Sequence, residues 1–237
     1  REHAEIMALQ EAGARSEGAT LYSTLEPCNH RGRTPPCTAA IVRAGISEVR
    51  VATLDPNPNV AGGGVQALEE AGVRVRVGEG EKRARLLMEA YFKYVEEGMP
   101  FVTAKFAMTL DGKIATHTGD SKWISGDKAR WEVHGLRHIS DAIMVGINTV
   151  MADNPQLTAR DERGKPRERQ PLRVIVDSRA RIPLNARMIS EPGETLIVVS
   201  TATPEARESL VEAGLGVIEA AEEDGSVDLT ALMRHLA

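Results

Sequence analysis

The chain has 237 residues, 42% of them hydrophobic and 27% charged, with Gly 21 and Pro 12. That is long enough for two cores and too ordinary in composition for a fibre or a low-complexity chain. A net charge of −5 repels a polyphosphate backbone at long range, so no nucleic-acid partner is expected and an anionic substrate must be gripped by local cations. From His3 to about Gly98 helical and strand-like patterns alternate, the order of an α/β fold around a mostly parallel sheet. Helices are expected from Ala4 to Ala14, from Pro35 to Arg43, near Val65 to Ala71 and from about Glu81 to Glu97. Strands are expected at residues 19–24, 49–54 and 73–77.

Gly98-Met99-Pro100 predicts a junction, because Gly ends helices and the residue before Pro resists the helical region. The expected domains are therefore 1–98 and 99–237. Beyond the junction, residues 101–109 alternate like a half-buried strand, and Ser125-Gly126-Asp127 is expected to cap a helix running to about His138. Residues 142–146, 172–176 and 196–200 read as buried strands, and Thr203-Pro204 opens another helix. Residues 160–170, charged and aperiodic, read as a mobile surface loop. No run approaches the ~20 apolar residues that span a bilayer, and no secretion signal opens the chain, so a cytoplasmic protein without a membrane partner is expected.

Chemistry concentrates first around the only two cysteines, Cys28 and Cys37. In a reducing compartment such a close pair is more often metal-binding or catalytic than disulfide-bonded. Together with His3 they supply three ligands for zinc and leave the fourth tetrahedral position to water, which is the pattern of a catalytic site. Cys37 is expected in a first helical turn, where the macrodipole lowers a thiol pKa. Glu5 then moves the proton while the zinc-activated water attacks an amino-bearing ring carbon and ammonia leaves. The order His-x-Glu then Pro-Cys marks zinc base deaminases, although here eight residues rather than two separate the cysteines. Taken singly, each residue also reads as a buried thiol or a helix-start histidine, and His30 is close enough in sequence to close a structural site. Gly62-Gly63-Gly64 lacks the spacing of a phosphate loop and reads as a tight helix start.

The long segment from Glu26 to Cys37, taken with Asp55-Pro56-Asn57-Pro58, resembles the deaminase domain of the bifunctional riboflavin-biosynthesis enzymes called RibD or RibG. The resemblance implies that His3, Cys28 and Cys37 hold Zn2+, that Glu5 is the proton shuttle, and that His30, Arg33, Asp55 and Asn57 line the pyrimidine pocket. The second half lacks a Gly-rich dinucleotide fingerprint, and its residues alone support only a second α/β domain with polar groups at strand ends. Its strings Lys105 to Ile114, Trp123-Ile124-Ser125, Arg137 to Gly146 and Thr149 to Thr158 look like the reductase domain of the same family. That implies a dihydrofolate-reductase-like fold behind a cytidine-deaminase-like zinc domain, with NADPH as the second cofactor. Carried over by position, Ala107, Trp123, Thr149, Asp153 and Ser178 would contact the cofactor and Ser121, Arg137, Leu157 and Arg160 the substrate. Lys105 and Asp153 would assist the hydride step.

The implied activity is hydrolytic deamination of a phosphoribosylated diaminopyrimidinone followed by reduction of its ribosyl group to ribityl, in a homo-oligomer acting on a small molecule. Family members carry further elements before His-Ala-Glu and after the position of Ala237, so both domains are expected to be incomplete, one at each end. Two other classes remain open on the residues: a nucleic-acid base deaminase with an appended binding domain, disfavoured by 3% aromatic residues and negative charge, and an inactive zinc-stabilised scaffold.

Overall fold

The computed structural model of the chain describes residues 2–31, 35–58 and 60–237. Two compact units emerge, one reaching to Val102 and including Leu236 and Ala237, the other running from Thr103 to His235. In the first, helix α1 (Ala4–Ala12) leads to strand β1 (Thr20–Leu25), α2 (Cys37–Arg43), β2 (Glu48–Thr53), α3 (Gly63–Glu70) and β3 (Arg74–Val77). The three strands form a parallel sheet in the order β1-β2-β3. Val49 and Val51 of β2 are fully buried and pack with Ile41 of α2, Leu68 of α3, Ile46 and Val73. The central strand is thus buried as parallel strands require, and it anchors the turns at its carboxyl end.

The expected helix over residues 81–97 is two helices, α4 (Glu81–Leu87) and α5 (Glu89–Glu97). They part at Met88, whose N–H is shared between the carbonyls of Ala84 and Arg85, so the last turn of α4 tightens instead of continuing. The break lets Ala84 and Phe92 both be buried while Leu86 and Leu87 remain exposed.

The second unit contains α6 (Asp127–Ile139), β4 (Ala142–Gly146), α7 (Ile147–Asp153), β5 (Leu172–Val176), β6 (Thr195–Val199), α8 (Pro204–Glu212), β7 (Gly216–Glu219) and all but the last residue of α9 (Leu229–Leu236). Its four strands are parallel in chain order, β4-β5-β6-β7. Ile175 of β5 and Ile197 and Val199 of β6 are fully buried among Ile147, Val150, Met188 and Leu210. Thr203 caps α8 by accepting from the Ala206 N–H, with Pro204 in the first turn, as its sequence predicts.

Several expectations are corrected here. Residues 101–109 form no strand: no ladder pairs with them among the described residues, and Val102, Phe106 and Met108 are exposed. Alternation marks a strand only where an edge is at hand to receive it. Within Ser125-Gly126-Asp127 the residue at the cap of α6 is Gly126, so no side chain makes a capping bond there. Residues 160–170 are pinned rather than free. Arg160 bridges Pro166, and the Gln170 amide both donates to the Ala159 carbonyl at 2.9 Å and accepts from the Ala159 N–H at 2.8 Å. No helix is long and apolar enough to cross a membrane among the described residues.

Candidate functional site

In the first unit the carboxyl ends of β1 and β2 meet the amino ends of three helices. β1 delivers Glu26, Pro27 and Cys28; β2 delivers Asp55 and Asn57; α1, α2 and α3 begin beside them at His3, Cys37 and Gly62. In parallel α/β sheets this edge is where ligands bind. The His3 Nδ1 lies 3.6 Å from the Cys28 sulfur and 3.2 Å from the Cys37 sulfur, and all three ligand atoms fall within 4.8 Å of one another. A tetrahedral zinc with Zn–S of ~2.3 Å and Zn–N of ~2.0–2.1 Å separates such atoms by about 3.5 Å, so the donor set fits the ion. No fourth side chain joins the group among the described residues, which leaves a coordination position open. His30 is exposed on the turn beyond Cys28 and is not part of the group.

Glu5, in the first turn of α1, places one oxygen 3.8 Å from the Cys37 sulfur and the other 3.4 Å from the Ser23 hydroxyl. The Cys37 N–H points at the Cys28 sulfur at 3.4 Å, and the Thr38 N–H donates to the Cys28 carbonyl at 3.3 Å. These bonds draw the two distant cysteines together across the intervening segment. Cys37 does open α2, but its thiol is not lowered: burial pushes it well up, and the Glu5 carboxylate and the neighbouring Cys28 add to that. With the thiol pushed up in this way, metal binding has to displace its proton.

Asp55 is buried, and its Oδ1 accepts from the Asn57 N–H at 2.9 Å and from the Tyr91 hydroxyl at 2.7 Å. Burial, then the bond to Asp55, pushes the Tyr91 phenol up to about 12, so it remains a donor. Tyr91 and Glu26 escape a motif-based reading, because their partners come from other elements. Arg33 lies outside the described residues.

The polar residues expected at strand ends in the second unit are distributed otherwise. Arg137 lies within α6 and Asp153 ends α7, while Lys105, Ala107, Ser121 and Trp123 belong to a stretch without helix or strand. Thr149, on α7, follows β4 and Ser178 follows β5, so both flank the carboxyl edge of the sheet. The Asp153 carboxylate is faced by Lys122 at 3.8 Å, and the exposed Trp123 ring carries the Arg130 guanidinium 4.5 Å from its centre. His134 Nδ1 and an Arg137 nitrogen approach the Thr158 carbonyl at 3.1 and 3.3 Å, and Arg160 donates to the Thr158 hydroxyl at 2.9 Å. Arg137 retains a buried Nε without a partner, and burial followed by Arg160 lowers its pKa. Two guanidiniums held this close suit an anion. The Leu157 side chain packs in the core with a left-handed backbone, φ 54°, so only its main chain could reach a ligand.

The RibD C-terminal domain family matches residues 100–237, and the cytidine and deoxycytidylate deaminase zinc-binding region matches residues 1–53. The two units therefore have the folds of a cytidine-deaminase-like zinc domain and a dihydrofolate-reductase-like RibD C-terminal domain. Riboflavin biosynthesis protein RibD of Aquifex aeolicus is 49% identical over 216 residues, covering 91% of this chain and 60% of that protein. RibD of Escherichia coli is 42% identical over 202 residues, covering 81% and 55%. Acinetobacter baumannii RibD superposes with a TM-score of 0.84 at 41% identity, over 100% of this chain and 64% of that one. The Thermotoga maritima diaminohydroxyphosphoribosylaminopyrimidine deaminase/5-amino-6-(5-phosphoribosylamino)uracil reductase gives 0.81 at 39%, with the same coverage. The chain belongs to the RibD family, and it spans less than two thirds of the length of these relatives.

Proposed function

We propose that the chain carries both activities for which the Thermotoga protein is named, a zinc-dependent deaminase over residues 1–98 and an NADPH-dependent reductase over residues 99–237. The observation that carries this reading is the clustering of His3, Cys28 and Cys37 with Glu5 at the carboxyl edge of the first sheet. His3, Cys28 and Cys37 hold the ion, which supplies Lewis-acid activation of a water at neutral pH. The Glu5 carboxylate accepts a proton from the attacking water and returns one to the departing ammonia. Asp55 and Asn57, braced by Tyr91, orient the pyrimidine, and His30 and Arg33 complete its pocket.

In the second unit bound NADPH would supply the hydride for reduction of the opened ribose. Thr149, Asp153 and Ser178 hold it at the sheet edge with Ala107 and Trp123, while Lys105 and Asp153 assist the proton balance. Arg137 and Arg160 grip the substrate phosphate, with Ser121 and the Leu157 main chain beside them. The substrate is the small molecule 2,5-diamino-6-(5-phosphoribosylamino)pyrimidin-4-one, and the setting is a homo-oligomer in the cytoplasm. The test follows ammonia release and NADPH oxidation with this compound. Both signals should require substrate, and the first should vanish on chelation and return with zinc. A chain that releases no ammonia with zinc restored contradicts the deaminase assignment.

A further inference from the structure

Glu26 is 3% exposed, yet among the described residues the partners of its carboxylate oxygens are all backbone amides. One oxygen accepts from the Gly64 N–H at 2.8 Å and the Val65 N–H at 3.0 Å; the other accepts from Gly62 at 2.9 Å and Asp55 at 3.3 Å. Its own N–H donates to the Thr53 carbonyl at 3.1 Å, extending the β1-β2 ladder by one step. α3 has no capping side chain of its own, since its N-cap is Gly62 in a left-handed turn with φ 76°. The carboxylate of another element therefore terminates the helix, where the macrodipole and the orphan amides favour an anion. The glycine run has its reason here. A Cβ on Gly64 would stand 2.0 Å from the Pro27 carbonyl oxygen and 3.1 Å from the Glu26 Cγ.

What this clamp joins is functional in both directions. Glu26 lies two residues before Cys28, and its carboxylate holds the amide of Asp55, whose side chain sets the Asn57 turn. The ligand-bearing turn after β1 and the Asp55 loop after β2 are therefore tied through a single buried anion. A metal ligand and a substrate loop held in fixed register avoid the ångström-scale misplacement that costs orders of magnitude in rate.

We propose that Glu26 is a positioning residue, which locks the Cys28 turn to the Asp55–Asn57 loop through the amino end of α3 and so sets metal grip and pyrimidine recognition together. This rests on the zinc-deaminase reading above. Glu26→Gln keeps the shape but turns an amino group toward the amides, and Gly64→Ala keeps the carboxylate but drives a methyl into the Pro27 carbonyl. Leu68→Ala, in the core face of α3, is the control for general loss of stability.

The readouts are the rate at which a chelator strips zinc from the loaded 237-residue chain, and KM against kcat for ammonia release. Both clamp variants should lose zinc about tenfold faster or more, the scale of an outer-shell metal partner. Their KM should rise several-fold, and the double variant should fall short of the product of the two single effects. Leu68→Ala should lower the melting temperature while leaving zinc release and KM within about twofold of wild type, because its side chain packs in the apolar core and makes none of the clamp's hydrogen bonds. Clamp variants that match wild type in zinc release and KM, or that match Leu68→Ala, overturn the proposal and leave the deaminase reading intact. A wild-type chain that takes up no zinc overturns that reading and the proposal together. If Glu26→Gln does not fold, Gly64→Ala alone decides between these outcomes.

Discussion

The Glu5 carboxylate lies within 4 Å of both the Cys37 sulfur and the Ser23 hydroxyl, beside the group proposed to hold the metal, and the proposed function gives it the proton transfer. Glu5→Gln should retain zinc and lose ammonia release by roughly 10²–10⁴-fold, the usual worth of a positioned proton shuttle; metal content and an ammonia assay on the same sample check both halves. Arg137 makes a second prediction at this scale. Its planar fork reaches the Thr158 carbonyl beside Arg160, and a lysine cannot reproduce that geometry. Arg137→Lys should raise the reductase KM by about tenfold or more, the loss of one charge-assisted contact, and leave the deaminase unchanged. The convergence of His3, Cys28 and Cys37 was legible because their neighbours in the sequence single them out. Glu26 and Tyr91 were not, because a carboxylate held by amides from positions 55 to 65 and a phenol reaching Asp55 acquire meaning only when the chain folds.

Elements of the parallel sheets were readable because central strands are nearly continuous apolar runs, as at residues 172–176 and 196–200, and because their turns carry Gly and Pro. Misreadings have local causes. The split at Met88 changes no periodicity, and residues 101–109 show strand alternation without a ladder among the described residues. α9 follows a charged, turn-rich segment that masks it, and β7 spans only four residues. Arg173 illustrates a buried charge that an apolar strand conceals. It is 1% exposed near the start of β5, where its guanidinium donates to the Thr195 hydroxyl at 2.8 Å and to the carbonyls of Pro192 at 2.9 Å and Glu191 at 3.2 Å. Those carbonyls order the turn that feeds β6. Arg173→Ala should cost about 3 kcal/mol or more, since it leaves several buried acceptors unpaired, and urea unfolding of the second unit reads it directly.

Across the molecule, each unit has its own sheet and its own apolar core, so each carries its own stability. Zinc bound by folded but not by unfolded chain raises the stability of the first unit alone, by about 2.7 kcal/mol at a free concentration one hundred times Kd. Calorimetry with and without chelator should therefore move one transition and leave the other in place. The most direct test of the central claim, that an imidazole from α1 and two thiols from β1 and α2 converge on one ion, is elemental analysis of the purified chain beside Cys28→Ser. About one zinc per wild-type chain and essentially none in the variant are expected, since two protein ligands do not make a stable site. A wild-type chain that binds no zinc under loading, or a variant that keeps its zinc, contradicts that claim.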